Sequence, residues 1–301
     1  MAVPAPAIEA ADLSYDFGGG RGVFDLSFSV DRGEVLGWLG PNGAGKTTTM
    51  RLLTGLMRPR RGRVRLLGHD AWSGRERAHR ILGYLPGEIG LPAESSGGAV
   101  LDLLAAMRGL RDRAYERSLV DRFELDLRAA PHCLSKGNRQ KLGLVAALQH
   151  DPPVLLLDEP TSGFDPLMQE RFVAWLLEEK RRGKAILLSS HQFSEVERTA
   201  DRIAVLRQGR MVALAETGFL AQRDRRGYHL RFGGEADAQR FAAAYPAARV
   251  RGCTAEVEVQ GPLRPLVDAL AGLELLSLRE RQQSLEDAFL RIYAAAGGEG
   301  A

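Results

Sequence analysis

The chain has 301 residues, of which 45% are hydrophobic and 26% charged, and a formal net charge of +3. That length suffices for a full core and two domains, and the composition is that of a soluble globular protein. No apolar run approaches the roughly 18–20 residues that cross a bilayer, Met1 to Pro6 lacks both parts of a signal peptide, and Cys133 and Cys253 have no metal-ligand spacing. Both cysteines are expected to be reduced.

Ile8 to Val30 reads as short strands with a turn at Gly18-Gly19-Gly20. Leu26-Ser27-Phe28-Ser29-Val30 alternates as a half-buried antiparallel strand does. Tyr15 and Phe17 can stack on an adenine ring, Phe17 before Tyr15; ordinary packing competes for both.

Glu34-Val35-Leu36-Gly37-Trp38-Leu39 is an apolar run short enough for one buried strand. It leads into Gly40-Pro41-Asn42-Gly43-Ala44-Gly45-Lys46-Thr47-Thr48, which fits G-x-x-x-x-G-K-S/T, and helix continues to Gly55. Strand, glycine loop and helix form the setting in which this pattern cradles phosphate. Glycines let successive N–H groups turn inward on an anion, and the helix aims its positive end at the same place. Lys46 is expected to reach the terminal phosphates and the Thr47 hydroxyl to bind Mg2+.

Arg63 to Gly68 and Ile81 to Pro86 read as strands around a polar helix from Gly74 to Arg80. From Glu94 to Gln149 the pattern is helical, with Val100, Leu101, Leu103, Leu104 and Met107 at helix spacing. Val154 to Leu157 is the next buried strand and ends in Asp158-Glu159. A carboxylate at the carboxyl end of a parallel strand faces the ligand crevice. Asp158 is therefore expected to hold Mg2+ through water and Glu159 to polarise an attacking water. Ala185 to His191 is another buried strand with a polar end, where His191 meets the γ-phosphate or is structural. Helices at Leu167–Lys180 and Phe193–Ala200 complete a βαβ alternation.

Leu134-Ser135-Lys136-Gly137-Asn138-Arg139-Gln140 opens a helix ahead of Asp158. By itself it is a helix start capped by Ser135, with free N–H groups that offer an anion site. Lying between a P-loop and Asp158-Glu159-Pro160, it resembles the signature of ATP-binding cassette proteins, usually Leu-Ser-Gly-Gly-Gln. Lys136 and Asn138 depart from that pattern; Ser135 and Gly137 keep it. Ser162-Gly163-Phe164-Asp165 is similar to the family's dimer-contacting loop, His191 to its switch histidine, and Phe17-Gly18 to its adenine-stacking position. The resemblance spans about residues 8 to 215.

The resemblance implies an α/β P-loop NTPase: a RecA-like, mostly parallel sheet with an antiparallel β-subdomain and a helical insertion. It places a nucleotide-binding domain over residues 1–218, with its helical subdomain at about 88–152; beyond it, Gly227–Phe232, Ala255–Val259 and Leu273–Leu278 read as strands and Ala236–Tyr245 and Pro265–Leu270 as helices, a C-terminal α+β domain over 219–301. It implies ATP and Mg2+ as cofactors, and two ATPs closed between head-to-tail subunits. Ser135, Gly137, Asn138 and Asp165 then serve the partner's nucleotide; Lys136 either reaches its γ-phosphate or points to solvent. The second subunit is another copy or a paralogous ATPase. A glutamine usual at the entry to the helical subdomain is replaced by Gly87, followed by Glu88.

Ser284 to Tyr293 reads as a capped closing helix, similar to the tail of cassette subunits that serve separately encoded bacterial export permeases. Ala294 to Ala301 is expected to be disordered. The implied protein is a peripheral ATPase at the cytoplasmic face of the membrane, bound to a permease. A soluble cassette acting on nucleic acid or ribosomes is the alternative. No heptad coiled coil and only one P-loop speak against it, and no nucleic-acid partner is expected. A non-enzymatic nucleotide sensor is favoured only by Gly87. The arginine clusters Arg58 to Arg63 and Arg223 to Arg226 fit a solvated surface, or a phosphate-rich or anionic-membrane partner.

Overall fold

A computed structural model describes residues 5–92, 95–217, 225–281, 286, 289–290 and 292–293. The chain divides into two compact units, Met1–Glu216 and Thr217–Ala301.

In the first unit, β1 (Ile8–Gly18) and β2 (Arg21–Val30) form a hairpin. With β4 (Arg61–Leu66) and β5 (His69–Asp70) they make an antiparallel sheet in the order β2-β1-β4-β5. The main sheet contains β3 (Val35–Leu39), β6 (Leu82–Leu85), β7 (Val154–Asp158), β8 (Ala185–Ser189), β9 (Arg202–Arg207) and β10 (Arg210–Glu216). Its order is β10-β9-β3-β8-β7-β6, parallel except for the β9–β10 hairpin. Every residue of β3, β7 and β8 is buried. A strand covered on both faces must be apolar throughout, which is why these three read as short unbroken runs. Their parallel register brings Leu39, Asp158 and Ser189 out at one edge of the sheet. The loops that follow them carry the chemistry.

α1 (Lys46–Leu53) and α2 (Arg75–Arg80) precede β6. α3 (Gly97–Arg108), α4 (Ala114–Arg122) and α5 (Lys136–Leu148) form the helical insertion between β6 and β7. α6 (Pro166–Arg181) and α7 (Phe193–Thr199) flank β8. One core joins the two sheets: Trp38 of β3 packs on Phe28 of β2 with ring centroids 4.5 Å apart, and both are buried. Burying an aromatic of this size contributes about 1.5–3 kcal/mol. Phe123, at the end of α4, packs edge-on against Trp175 of α6 at 6.0 Å and ties the insertion to the α/β body. Leu103 and Met107, placed with the apolar positions of their helix, are 52% and 75% exposed; Val100, Leu101 and Ala105 carry the packing instead.

The second unit runs β11 (Arg225–Phe232), α8 (Glu235–Ala244), β12 (Arg249–Arg251), β13 (Thr254–Gln260), α9 (Arg264–Leu270) and β14 (Leu275–Arg281). The sheet order β12-β13-β11-β14, all antiparallel, is that of a β-α-β-β-α-β ferredoxin-like unit. Its own core gathers Leu230, Phe232, Phe241, Val257 and Leu266. Strand β12 went unread in the sequence because three residues carry no period. Of the closing helix expected over Ser284 to Tyr293, Ser284, Leu285, Asp287, Ala288 and Arg291 lie outside the described residues. So do Ala294 to Ala301, Arg223 and Asp224, and Met1 to Pro4.

Candidate active site

The glycine loop leaves β3 at Leu39 and enters α1 at Lys46. Gly43 and Gly45 have φ of 81° and 104°, a region L side chains rarely adopt, which is why these positions need glycine. Ala44 is buried, and its carbonyl accepts from Gly209 N at 3.0 Å, so the β9–β10 turn pins the loop from behind. Lys46 folds back over the loop: Nζ donates to the Gly40 carbonyl at 2.6 Å and to that of Pro41 at 3.4 Å. Burial lowers its pKa, against the opposing pull of the Glu159 and Asp158 charges. An anion arriving in the cleft meets this ammonium and the first amides of α1, which have no carbonyl partner within the helix.

Asp158 ends β7 at 1% exposure. Its Oδ2 accepts from Thr47 Oγ1 at 2.8 Å, and its Oδ1 accepts from Ser189 Oγ. Burial and the Asp158 charge push the neighbouring Tyr84 hydroxyl up to about 12. Thr47 and Asp158 are thus a hydroxyl and a carboxylate converging on one point, the oxygen donor set of a hard divalent cation that keeps most of its shell as water and phosphate. Among the described residues no group of three or more His, Cys, Asp or Glu is arranged to hold a metal by itself.

Glu159 has a φ of 51°, a left-handed conformation that costs an L residue roughly 1–2 kcal/mol. The main chain around it over-determines the position. Its N–H donates to the Ser189 carbonyl at 3.0 Å. Its own carbonyl accepts from Ser162 N at 3.2 Å and from Gln140 Nε2 of α5 at 3.1 Å. The carboxylate is aimed as a result: Oε2 accepts from His191 Nδ1 at 2.7 Å, and Oε1 stands 4.0 Å from Lys46 Nζ. Strain of this kind, held in place by its surroundings, is common at functional positions.

A cavity of about 510 Å³ opens over these groups. Pro41, Asn42, Gly43, Gly45, Lys46, Thr47, Thr48, Asp158 and Glu159 line it; Gly40 and Ala44 do not. Phe17 lines its rim at 52% exposure. Tyr15 does not line it: its ring packs edge-on against Phe17 at 4.8 Å, under the Arg60 guanidinium at 5.5 Å. Gly87 lies inside, where a Cβ would come no closer than 3.5 Å, to Asp158 Oδ2.

Ser135, Gly137, Asn138 and Asp165 are not among the lining residues. Ser135 Oγ accepts from Asn138 N at 3.2 Å and caps α5; Asp165 Oδ1 accepts from Met168 N at 2.8 Å and caps α6. A Cβ on Gly137 would lie 2.4 Å from the Gly163 carbonyl oxygen, so the first turn of α5 and the 162–165 loop touch backbone to backbone. Ser162, read in the sequence as part of the dimer-contacting loop, also lines the cleft, as do Arg21 and Gln208, which were not singled out in the sequence. Arg21 had a signal in its closeness to Phe17. Gln208, at the tip of the β9–β10 hairpin, had none.

Sheet order and cleft together define a P-loop nucleoside triphosphatase with a helical insertion. Residues 23–162 match the ABC transporter family. The chain is 36% identical over 301 residues to the Nod factor export ATP-binding protein I of Bradyrhizobium diazoefficiens, covering 95% of this chain and 96% of that protein. It is 35% identical over 211 residues to the probable multidrug ABC transporter ATP-binding protein YbhF of Escherichia coli, covering 68% of this chain but only 36% of that longer protein. A solved ATP-binding subunit of an ABC transporter superposes with a TM-score of 0.67 at 35% identity, over 72% of this chain and 92% of that one. The chain belongs to the ATP-binding proteins of ABC transporters, a family of ATPases.

Proposed function

We propose that this chain hydrolyses Mg2+-bound ATP to energise export through a separate membrane permease, from the cytoplasmic face. The bond between Glu159 and His191, held 4.0 Å from Lys46 beside the cleft, carries the reading. The names of the relatives, multidrug and Nod factor export, supply the direction of transport. Among the described residues no helix is long and apolar enough to cross a membrane.

Phosphoryl transfer to water depends on positioning and charge neutralisation. Lys46 and the loop amides take the terminal phosphates, and Phe17 stacks on the base. Thr47 and Asp158 would hold the Mg2+, which neutralises charge between the phosphates when bound. Glu159 orients the water and accepts its proton; His191 fixes the carboxylate and faces the γ-phosphate. Ser135, Gly137, Asn138 and Asp165 serve a second copy or a paralogous subunit, whose nucleotide they cover. ATP then favours the closed pair, hydrolysis releases it, and that difference in affinity drives the permease.

The test is recovery of the chain from membranes, with ATPase measured with and without the protein that accompanies it. A co-purifying integral membrane protein that raises turnover supports the proposal. Recovery solely with nucleic acid or ribosomes overturns it.

A further inference from the structure

Glu195 is a buried acid next to the catalytic loops that no step above uses. It lies in α7 at 5% exposure, and burial pushes its carboxyl above the usual range. Oε2 accepts from Ser190 Oγ at 2.5 Å and from Thr161 Oγ1 at 3.3 Å, while Oε1 is buried with no hydrogen-bond partner among the described residues. A carboxyl in such a place is expensive, and a hydrocarbon of similar size fills a core more cheaply. Packing alone does not explain it.

What Oε2 spans does. Ser190 precedes His191, and its Oγ also accepts from Gln192 N at 3.0 Å, so one hydroxyl anchors the chain on both sides of the histidine. Thr161 follows Glu159 by one proline, and its carbonyl accepts from Phe164 N at 2.9 Å. A single oxygen therefore accepts one hydrogen bond from the loop after β7 and another from the loop after β8. Those are the loops whose side chains meet at 2.7 Å as Glu159 and His191. Thr161 and Ser190 are 3% and 2% exposed, so water does not compete.

We propose that Glu195 is a positioning residue for hydrolysis: its carboxylate oxygen holds the two loops at the spacing that keeps His191 Nδ1 on Glu159 Oε2. The inference rests on Glu159 and His191 forming the hydrolytic pair.

The experiment compares kcat, KM, ATP affinity by equilibrium titration, and Tm for the full chain and its variants. Glu195→Ala should lower kcat by about 100-fold, the scale of a misplaced catalytic group, and leave ATP affinity within about threefold. Glu195→Gln keeps an acceptor oxygen and should recover most of the loss. Ser190→Ala and Thr161→Val each remove one arm and should fall between; they carry the test should Glu195→Ala not fold. Wild-type kcat in Glu195→Ala, or in both single-arm variants, overturns the proposal. So does a Glu195→Gln as slow as Glu195→Ala. Glu159→Gln, run alongside, separates the two levels. If it is inactive while Glu195→Ala is normal, only the positioning role fails. If it turns over normally, the hydrolytic pair itself is wrong.

Discussion

The hydroxyl of Thr47 donates to Asp158 Oδ2 across 2.8 Å, joining the first turn after the glycine loop to the end of a strand far along the chain. With the other carboxylate oxygen held by Ser189, the aspartate has one orientation. Thr47→Ala should weaken ATP binding by about 10- to 100-fold with Mg2+ present, the usual cost of disturbing a metal's surroundings. Affinity in excess EDTA should change little. Calorimetric titration under both conditions checks this; equal losses in both would remove Thr47 from cation binding.

Glu159→Gln preserves the shape of the residue and its left-handed backbone but removes the base. Turnover should fall by about 10²–10⁴-fold while ATP still binds. ATP should then hold the variant as a dimer on a sizing column.

Phe17 lines the cleft, whereas Tyr15 packs beneath it. Phe17→Ala should cost about 1–3 kcal/mol of nucleotide affinity, the range for stacking of a base on an aromatic ring. Phe17→Tyr should restore it. Tyr15→Ala should lower Tm more than affinity. A reversed ranking would move the base to Tyr15.

Gly87 has room for a side chain directed at Asp158 Oδ2, 3.5 Å from the Cβ position. Gly87→Gln should leave Tm unchanged and alter ATP turnover or its stimulation by the proposed permease, because the added amide would enter the cleft beside Asp158. Identical kinetics with and without the permease would show the position to be inert.

His150 is half-buried, its Nε2 near the Leu82 carbonyl at 3.1 Å. Burial, helped by Arg108, lowers its pKa to about 4. The unfolded chain takes up this proton near pH 6.5, the folded chain only near 4. The associated stability is therefore complete above about pH 6.5, declines as the pH falls and is gone below about 4. It amounts to about 1–3 kcal/mol. Urea unfolding at pH 7 and 5 should show a smaller difference for His150→Gln than for the natural chain.

The glycine loop and Asp158-Glu159 were legible because their chemistry is contiguous. A glycine pattern, or an acid after a buried strand, can be read without knowing what packs nearby. The five fully buried residues of β7 and of β8 likewise announced a parallel sheet. The groups that hold the site were not legible. Gln140 reaches the Glu159 carbonyl from the helical insertion, Glu195 gathers two hydroxyls from different loops, and Gln208 arrives on a remote hairpin tip. Each is an ordinary polar residue in its own segment and acquires meaning only from tertiary packing. Leu103 and Met107 failed in the opposite sense: helix periodicity counts apolar residues but does not say that every one is covered.

Gln140 lies on the helix that Ser135 caps, and its amide donates to the carbonyl of Glu159. Gln140 sits about one turn in from that cap, so a shift of the helix's first turns would pull directly on a residue already wound against its preferred twist.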